Sequence, residues 1–95
     1  MLDFERYSRQ ISLFEIGLEG QSRLRSAKVC LVGVGGLGCP AALQLTGMGV
    51  GYLRIIDRDT VSKTDLHRQY LYTTSDVGLP KVEAALKRLR DLNPD

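Results

Sequence analysis

A glycine-rich turn between an apolar run and an Ala-rich segment constrains this chain more than any other feature. Residues 29–32 have the β-branched and apolar character of a buried strand, and residues 39–45 have the composition of a helix. Between them, Gly33, Gly35 and Gly38 form the pattern G-x-G-x-x-G. The order of strand, tight turn and helix is the context in which this pattern indicates nucleotide binding.

Each glycine of the pattern has a physical reason. Gly33 suits the tight turn, Gly35 lets the backbone approach a phosphate, and Gly38 lets helix and strand pack closely. A helix that starts just after Gly38, with Pro40 in its first turn, directs free N–H groups and a positive dipole end at an anion above the loop. The pattern therefore predicts a nucleotide site. The alternative is a glycine turn needed only for packing.

A second strand is predicted over residues 52–56, and it ends at Asp57. This completes a β-α-β unit with parallel strands, so Asp57 is expected beside the glycine loop. A carboxylate there can accept hydrogen bonds from both ribose hydroxyls. We therefore predict Asp57 as the ribose ligand. The alternatives are a solvated loop acid or a helix N-cap, and Asp59 is an equally placed candidate.

The C-terminal third is predicted to be a polar loop followed by an amphipathic helix. Ser62 and Thr64 are capping residue types in that loop, which includes one helical turn ending at Arg68. The apolar face of the helix consists of Val82, Ala85, Leu86 and Leu89. Lys81 lies in its first turn, where a cation costs about 0.3–1 kcal/mol. Lys81 is therefore either placed for a ligand or simply points to solvent.

Residues 1–28 are predicted to form a polar, helical N-terminal arm, and residues 29–95 the first part of the nucleotide-binding domain. Gly17 and Gly20 are expected to interrupt the arm before a short helix over residues 21–25. From composition alone, Arg6 and Arg9 are interpreted as part of a solvated face.

The bulk composition is that of an ordinary globular protein, with 43% hydrophobic and 25% charged residues. A net charge of +2 indicates no strong attraction to nucleic acid or to a membrane surface. Neither a signal peptide nor an apolar run of about 20 residues is present. Cys30 and Cys39 are predicted to be reduced thiols in or near the core, which favours a cytoplasmic protein.

Six short motifs follow one another along nearly the whole chain. They are R-Y-S-R-Q-I at 6–11, V-G-V-G-G-L-G-C-P at 32–40, G-V-G at 49–51, D-R-D-T-V at 57–61, D-L-H-R-Q at 65–69 and V-G-L-P-K at 77–81. In order and spacing, the chain resembles the N-terminal part of the ThiF/MoeB/HesA family. These adenylating enzymes include the activating enzymes of ubiquitin-like proteins.

The resemblance implies a Rossmann-like α/β fold and a reaction. In that reaction, ATP adenylates the C-terminal glycine carboxylate of a ubiquitin-like or sulfur-carrier protein of the β-grasp type, and pyrophosphate leaves. The resemblance also implies that Mg²⁺ is a cofactor and that the protein is a homodimer. Zn²⁺ is implied for a full-length parent only, and no metal ligand is assigned within these 95 residues.

The resemblance also assigns roles to residues. The glycines of the loop would line the α-phosphate and adenosine, Asp57 would hold the ribose, and Arg68 and Lys81 would contact the phosphates. Arg9 would reach into the site of the partner subunit. The implied catalytic residues are Arg9, Arg68 and Lys81, and the implied nucleotide-binding residues are Gly33, Gly35, Gly36, Gly38, Asp57, Asp59, Thr64, Asp65, Arg68 and Lys81.

One position departs from the family pattern, since Asp65 stands where the family usually has Asn. A carboxylate beside a triphosphate repels it unless Arg68 or a magnesium ion compensates. The chain also stops where a third strand is expected to begin, with the family's magnesium-binding carboxylate further downstream. We therefore expect an N-terminal fragment with two parallel strands and flanking helices, which by itself is poorly folded and inactive.

Two other functions remain open at this point. The glycine pattern with Asp57 also fits an NAD-dependent oxidoreductase, which gives no reason for Arg9, Arg68 and Lys81 to surround phosphates. The other function is that of a non-catalytic interaction domain of the same fold, which binds no nucleotide.

Overall fold

The computed structural model describes residues 3–94. Met1, Leu2 and Asp95 lie outside the described residues, and so do the first two positions of the predicted arm. The elements, in chain order, are α1 (Ser8–Ile11), α2 (Gly17–Ser26), β1 (Lys28–Val32), α3 (Gly38–Met48), β2 (Tyr52–Ile56), two 3-10 turns (Lys63–Asp65 and Thr74–Asp76) and α4 (Lys81–Leu92). The predicted strands and the two longer helices of the nucleotide-binding part are confirmed, with boundaries within one or two residues.

The two strands form a parallel sheet, and α3 connects them. Their register runs from Lys28 opposite Tyr52 to Val32 opposite Ile56. The carboxyl ends of both strands therefore lie at one edge of the sheet. The N–H of Gly33 donates to the carbonyl oxygen of Ile56 at 2.7 Å, which continues the pairing into the glycine loop. This edge is where ligands bind in sheets of this kind.

The helices α3 and α4 pack on one face of the sheet and leave the other open. The buried apolar side chains are Val34, Cys39, Ala42, Val61, Leu71, Tyr72, Ala84, Ala85 and Leu89. On the open face Val32 is 76% exposed. Cys30 lies on that face too, because side chains alternate along β1, so its predicted place in or near the core is wrong. Cys39 is buried as predicted.

The buried face of α4 is rotated relative to the prediction. Ala85 and Leu89 are buried as expected, but Leu86 is 38% exposed and Ala84 is buried instead. The side chain of Lys81 is also buried, so its position belongs to the buried face of α4. A cation at a buried position gives no apolar signal, so the periodicity alone misplaced the face.

The predicted interruption of the arm is confirmed at Gly17, which lies at the break between α1 and α2, and is wrong at Gly20. Gly17 begins α2 with φ +59°, and the helix runs on through Gly20 to Ser26. Gly47 likewise lies inside α3, which ends only at Gly49 with φ +97°. A glycine inside a helix costs about 1 kcal/mol relative to alanine, a penalty that tertiary packing readily outweighs.

Polar contacts attach the N-terminal arm to the rest of the molecule. The side-chain amides of Gln10 and Gln21 donate to the carbonyl of Met48 at 3.0 and 2.9 Å. The amide of Asn93 donates to the hydroxyl of Tyr7 at 2.8 Å. These bonds connect the arm to the end of α3 and to the end of α4. The division into an arm and a domain stays a prediction.

Within the described part of the chain, no helix is both long and apolar enough to cross a membrane.

Candidate nucleotide-binding site

The glycine loop presents free backbone donors at the beginning of α3. Gly33 has φ +92°, which a glycine adopts without strain. A Cβ on Gly38 would collide with the carbonyl oxygen of Gly33, so helix and strand approach closely there. Among residues 3–94, the N–H groups of Gly35, Gly36 and Leu37 meet no acceptor. Three unpaired donors at a helix N-terminus favour an anion.

Asp57 lies directly beside this loop. Its Oδ2 accepts the N–H of Val34 at 3.0 Å, and its Oδ1 accepts the N–H of Asp59 at 2.8 Å. Burial raises the pKa of the Asp57 carboxyl, but these N–H groups and the charge of Lys81 outweigh that effect and hold the pKa below its usual value. Each carboxylate oxygen accepts two hydrogen bonds, so the ionised group retains capacity for a hydroxyl ligand.

Three charged side chains form a cluster near the loop, which we call the Asp65 cluster: Asp65, Arg68 and Lys81. Oδ1 of Asp65 lies 3.7 Å from Nη2 of Arg68, and Oδ2 of Asp65 lies 3.7 Å from Nζ of Lys81. The positive charges of the two cations therefore offset the negative charge that Asp65 introduces where the family usually has Asn. The compensation comes from both Arg68 and Lys81 rather than from Arg68 alone.

Backbone hydrogen bonds between residues 59–61 and residues 79–81 bring Lys81 to this cluster. The N–H of Val61 donates to Leu79 at 2.8 Å, and the N–H of Lys81 donates to Asp59 at 2.9 Å. The Lys81 side chain is only 8% exposed. The alternative that Lys81 points to solvent is therefore wrong.

Gln69 belongs to the same region, although no sequence pattern assigned it a separate role. The residue is 3% exposed, and its Nε2 lies 3.4 Å from Oδ1 of Asp65. The same nitrogen lies 3.8 Å from the point where a Cβ on Gly35 would stand, so Gln69 connects the cluster to the glycine loop. Its Oε1 is buried without a hydrogen-bond partner. Its position directly after Arg68 was the available signal.

Two buried side chains hold the glycine loop through hydrogen bonds to the carbonyl oxygen of Val34. The hydroxyl of Tyr72 donates to the carbonyl of Val34 at 2.6 Å, and the thiol of Cys39 donates to the same oxygen at 3.2 Å. Burial raises the pKa of the Tyr72 phenol far above its usual value, and it raises the pKa of the Cys39 thiol as well. Both groups stay protonated at neutral pH and act as hydrogen-bond donors, and Cys39 is the free, buried thiol that was predicted.

The remaining predicted residues lie at the margin of the site or away from it. Asp59 contributes backbone hydrogen bonds, and its side chain is exposed. Thr64 is exposed, with its hydroxyl 3.0 Å from that of Ser62. Arg9 is exposed on α1, and within the described residues its side chain forms no hydrogen bond or ion pair. No group of three His, Cys, Asp or Glu side chains within residues 3–94 is arranged to hold a metal ion.

The chain is similar to known proteins over nearly its whole length. The sequence pattern of the ThiF family matches residues 7–95. The chain is 52% identical over 92 residues to the adenylyltransferase and sulfurtransferase uba4 of Aspergillus fumigatus, which covers 97% of this chain and 19% of that protein. It is 55% identical over 91 residues to the adenylyltransferase and sulfurtransferase MOCS3 of Culex quinquefasciatus, which covers 96% of this chain and 21% of that protein.

A solved structure has the same arrangement of elements. The E. coli tRNA N6-threonylcarbamoyladenosine dehydratase TcdA, in complex with ATP, matches with a TM-score of 0.88 at 34% identity and covers 96% of this chain and 37% of that chain. This chain spans about a fifth of the length of the curated relatives it matches. The fold is Rossmann-like α/β, as predicted, and the match extends over the glycine loop, Asp57 and the Asp65 cluster. The chain belongs to the ThiF family.

Proposed function

We propose that this chain forms the nucleotide-binding N-terminal part of an enzyme that uses ATP to adenylate the C-terminal carboxylate of a ubiquitin-like or sulfur-carrier protein. The observation that carries the proposal is the pairing of two cations, Arg68 and Lys81, with Asp65, whose hydrogen-bond partner Gln69 lies against Gly35 of the glycine loop. Such an arrangement suits a polyphosphate. The adenylyltransferases uba4 and MOCS3 and the ATP complex of TcdA support the same nucleotide and reaction class.

The geometry suggests a division of labour among these residues. The N–H groups of the glycine loop bind the α-phosphate, and Asp57 accepts hydrogen bonds from the ribose hydroxyls. A carboxylate oxygen of the carrier attacks the α-phosphorus, and the bond to the bridging oxygen of the β-phosphate breaks. Arg68 and Lys81 stabilise the negative charge that develops on the departing pyrophosphate, which is the main source of catalysis in such a site.

Several finer points belong to this proposal. The enzyme is a homodimer, in which Arg9 completes the site of the second copy, and it works in the cytoplasm. Mg²⁺ would accompany the ATP phosphates and neutralise part of their charge. Because residues 3–94 contain no fitting group of ligands, we assign neither a magnesium nor a zinc site to this part of the chain.

Replacing Asp57 tests nucleotide recognition. Asp57→Asn keeps an oxygen that can accept the N–H of Val34, but it removes the charge. We expect ATP to bind about 10- to 100-fold more weakly, since hydrogen bonds to a charged acceptor contribute about 1.5–3 kcal/mol. The measurement is isothermal titration calorimetry on the intact enzyme. Asp59→Asn is the matched control, and weakening in that variant instead would transfer the ribose role to Asp59.

Exchange of radiolabelled pyrophosphate into ATP tests the reaction itself. We expect the intact enzyme to catalyse carrier-dependent exchange, whereas residues 1–95 alone do not and associate through the exposed edges of the two-stranded sheet. Titrations with ATP and NAD separate the alternatives, because an oxidoreductase prefers NAD and an interaction domain binds neither. Exchange by a monodisperse sample of residues 1–95 would show that the essential groups are all within this segment.

A further inference from the structure

One carboxylate holds both cations of the site. Oδ1 of Asp65 lies 3.7 Å from Nη2 of Arg68, and Oδ2 lies 3.7 Å from Nζ of Lys81. Each cation therefore approaches a different oxygen of the same group. The position of Asp65 fixes the separation of Arg68 and Lys81 from each other.

Asp65 is itself anchored. Its Oδ2 accepts the N–H of Ser62 at 2.9 Å and closes the capping box of the first 3-10 turn. Its Oδ1 also lies 3.4 Å from Nε2 of Gln69, and the side chain is 12% exposed. A carboxylate held in this way does not follow a mobile partner, so the cations adjust to it.

Lys81 depends on this contact more than Arg68 does. The Lys81 side chain is 8% exposed, and within residues 3–94 Asp65 is its one ion-pair partner. An ammonium group removed from water is strongly unfavourable unless a charge is paired with it. Arg68 is 51% exposed and keeps much of its hydration. Loss of the carboxylate therefore displaces Lys81 first.

We propose that Asp65 is a positioning residue that holds the Lys81 ammonium, and with it the Arg68 guanidinium, in the geometry that acts on the nucleotide phosphates. The catalytic half of this inference rests on the proposed function, whereas the structural half does not. Asp65 acts through Lys81 and does not itself bind the phosphates.

The substitution Asp65→Asn removes the charge and keeps the shape, including an oxygen that can accept the N–H of Ser62. The chain offers a matched control in Asp76. Asp76 closes the same kind of capping box with Thr73, whose N–H donates to Oδ2 at 2.8 Å, and it is 7% exposed. Within the described residues Asp76 forms no ion pair. Asp76→Asn therefore changes the cap and the charge without touching the cations.

The first measurement is independent of activity. The intact protein is treated with an amine-acylating reagent, and the labelling rate of each lysine is followed by mass spectrometry. We expect Lys81 to react about 5- to 30-fold faster in Asp65→Asn than in the wild type, the change expected from a loss of 1–2 kcal/mol, and to be unaffected in Asp76→Asn. Unchanged protection of Lys81 in Asp65→Asn overturns the proposal.

The second measurement is a double-mutant cycle in the pyrophosphate-exchange assay. We expect Asp65→Asn to lower kcat about tenfold while KM for ATP changes less than about twofold, and to cause no further loss in a Lys81→Ala background. Additive losses, or a higher kcat/KM that reveals simple repulsion of ATP, overturn the positioning role. If the wild type exchanges no pyrophosphate, the proposed function fails, and the labelling rates still decide the role of Asp65.

Discussion

The variant Gly38→Ala is expected to lose a large share of its folding stability. A Cβ at this position would overlap the carbonyl oxygen of Gly33, which is backbone and cannot move aside as a flexible side chain could. Overpacking typically costs about 1–3 kcal/mol, and a backbone collision belongs at or beyond the upper end of that range. Since small proteins are stable by about 5–15 kcal/mol, this is a large share of the total. Thermal unfolding of the intact protein measures the effect.

The glycine loop provides its own control. At Gly36 an added Cβ would meet no atom within 4 Å, and the residue does not have a positive φ. We therefore expect Gly36→Ala to unfold at the wild-type temperature. The same variant should nevertheless bind ATP more weakly, because its methyl group occupies space beside the free N–H groups. A wild-type melting temperature for Gly38→Ala would contradict the packing role of this glycine.

The second large effect is recovery of activity when two inactive variants are mixed. Arg9→Ala and Lys81→Ala are each expected to reduce pyrophosphate exchange by about 10³-fold or more, the scale of arginine fingers in other phosphoryl-transfer enzymes. If Arg9 acts on the site of the second copy, a heterodimer of the two variants contains one site with both residues. Random subunit exchange between equal amounts should then restore about a quarter of the wild-type activity.

The physical reason for this expectation is the placement of Arg9. It is exposed on α1, and within residues 3–94 its side chain is not bonded to any group of the site. Subunit exchange is verified by mass spectrometry with isotopically labelled protein. A mixture of each variant with itself serves as the control. If exchange is complete and activity is not restored, Arg9 acts within its own chain or has no part in the reaction.

The elements that local signals specify were predictable. Short runs of β-branched and apolar residues, a glycine turn and an i, i+3, i+4 pattern predict β1, α3, β2 and α4, because these signals are properties of residues close together in the sequence. The proximity of Asp57 to the glycine loop was also predictable, because parallel strands bring their carboxyl ends to one edge of the sheet. Family motifs identified Arg68 and Lys81 as candidates without placing them.

The sequence alone could not show how charges compensate one another inside the site. Asp65 and Lys81 are 16 positions apart in the sequence, and pairing of the segments on either side of the second 3-10 turn brings them together. The apolar periodicity likewise did not show that Lys81 is buried on α4 whereas Leu86 is 38% exposed. Local patterns establish which residues can form a strand, a turn or a helix. Contacts between distant loops decide which charges meet, because opposite charges attract strongly only at short distance and in surroundings less polar than water.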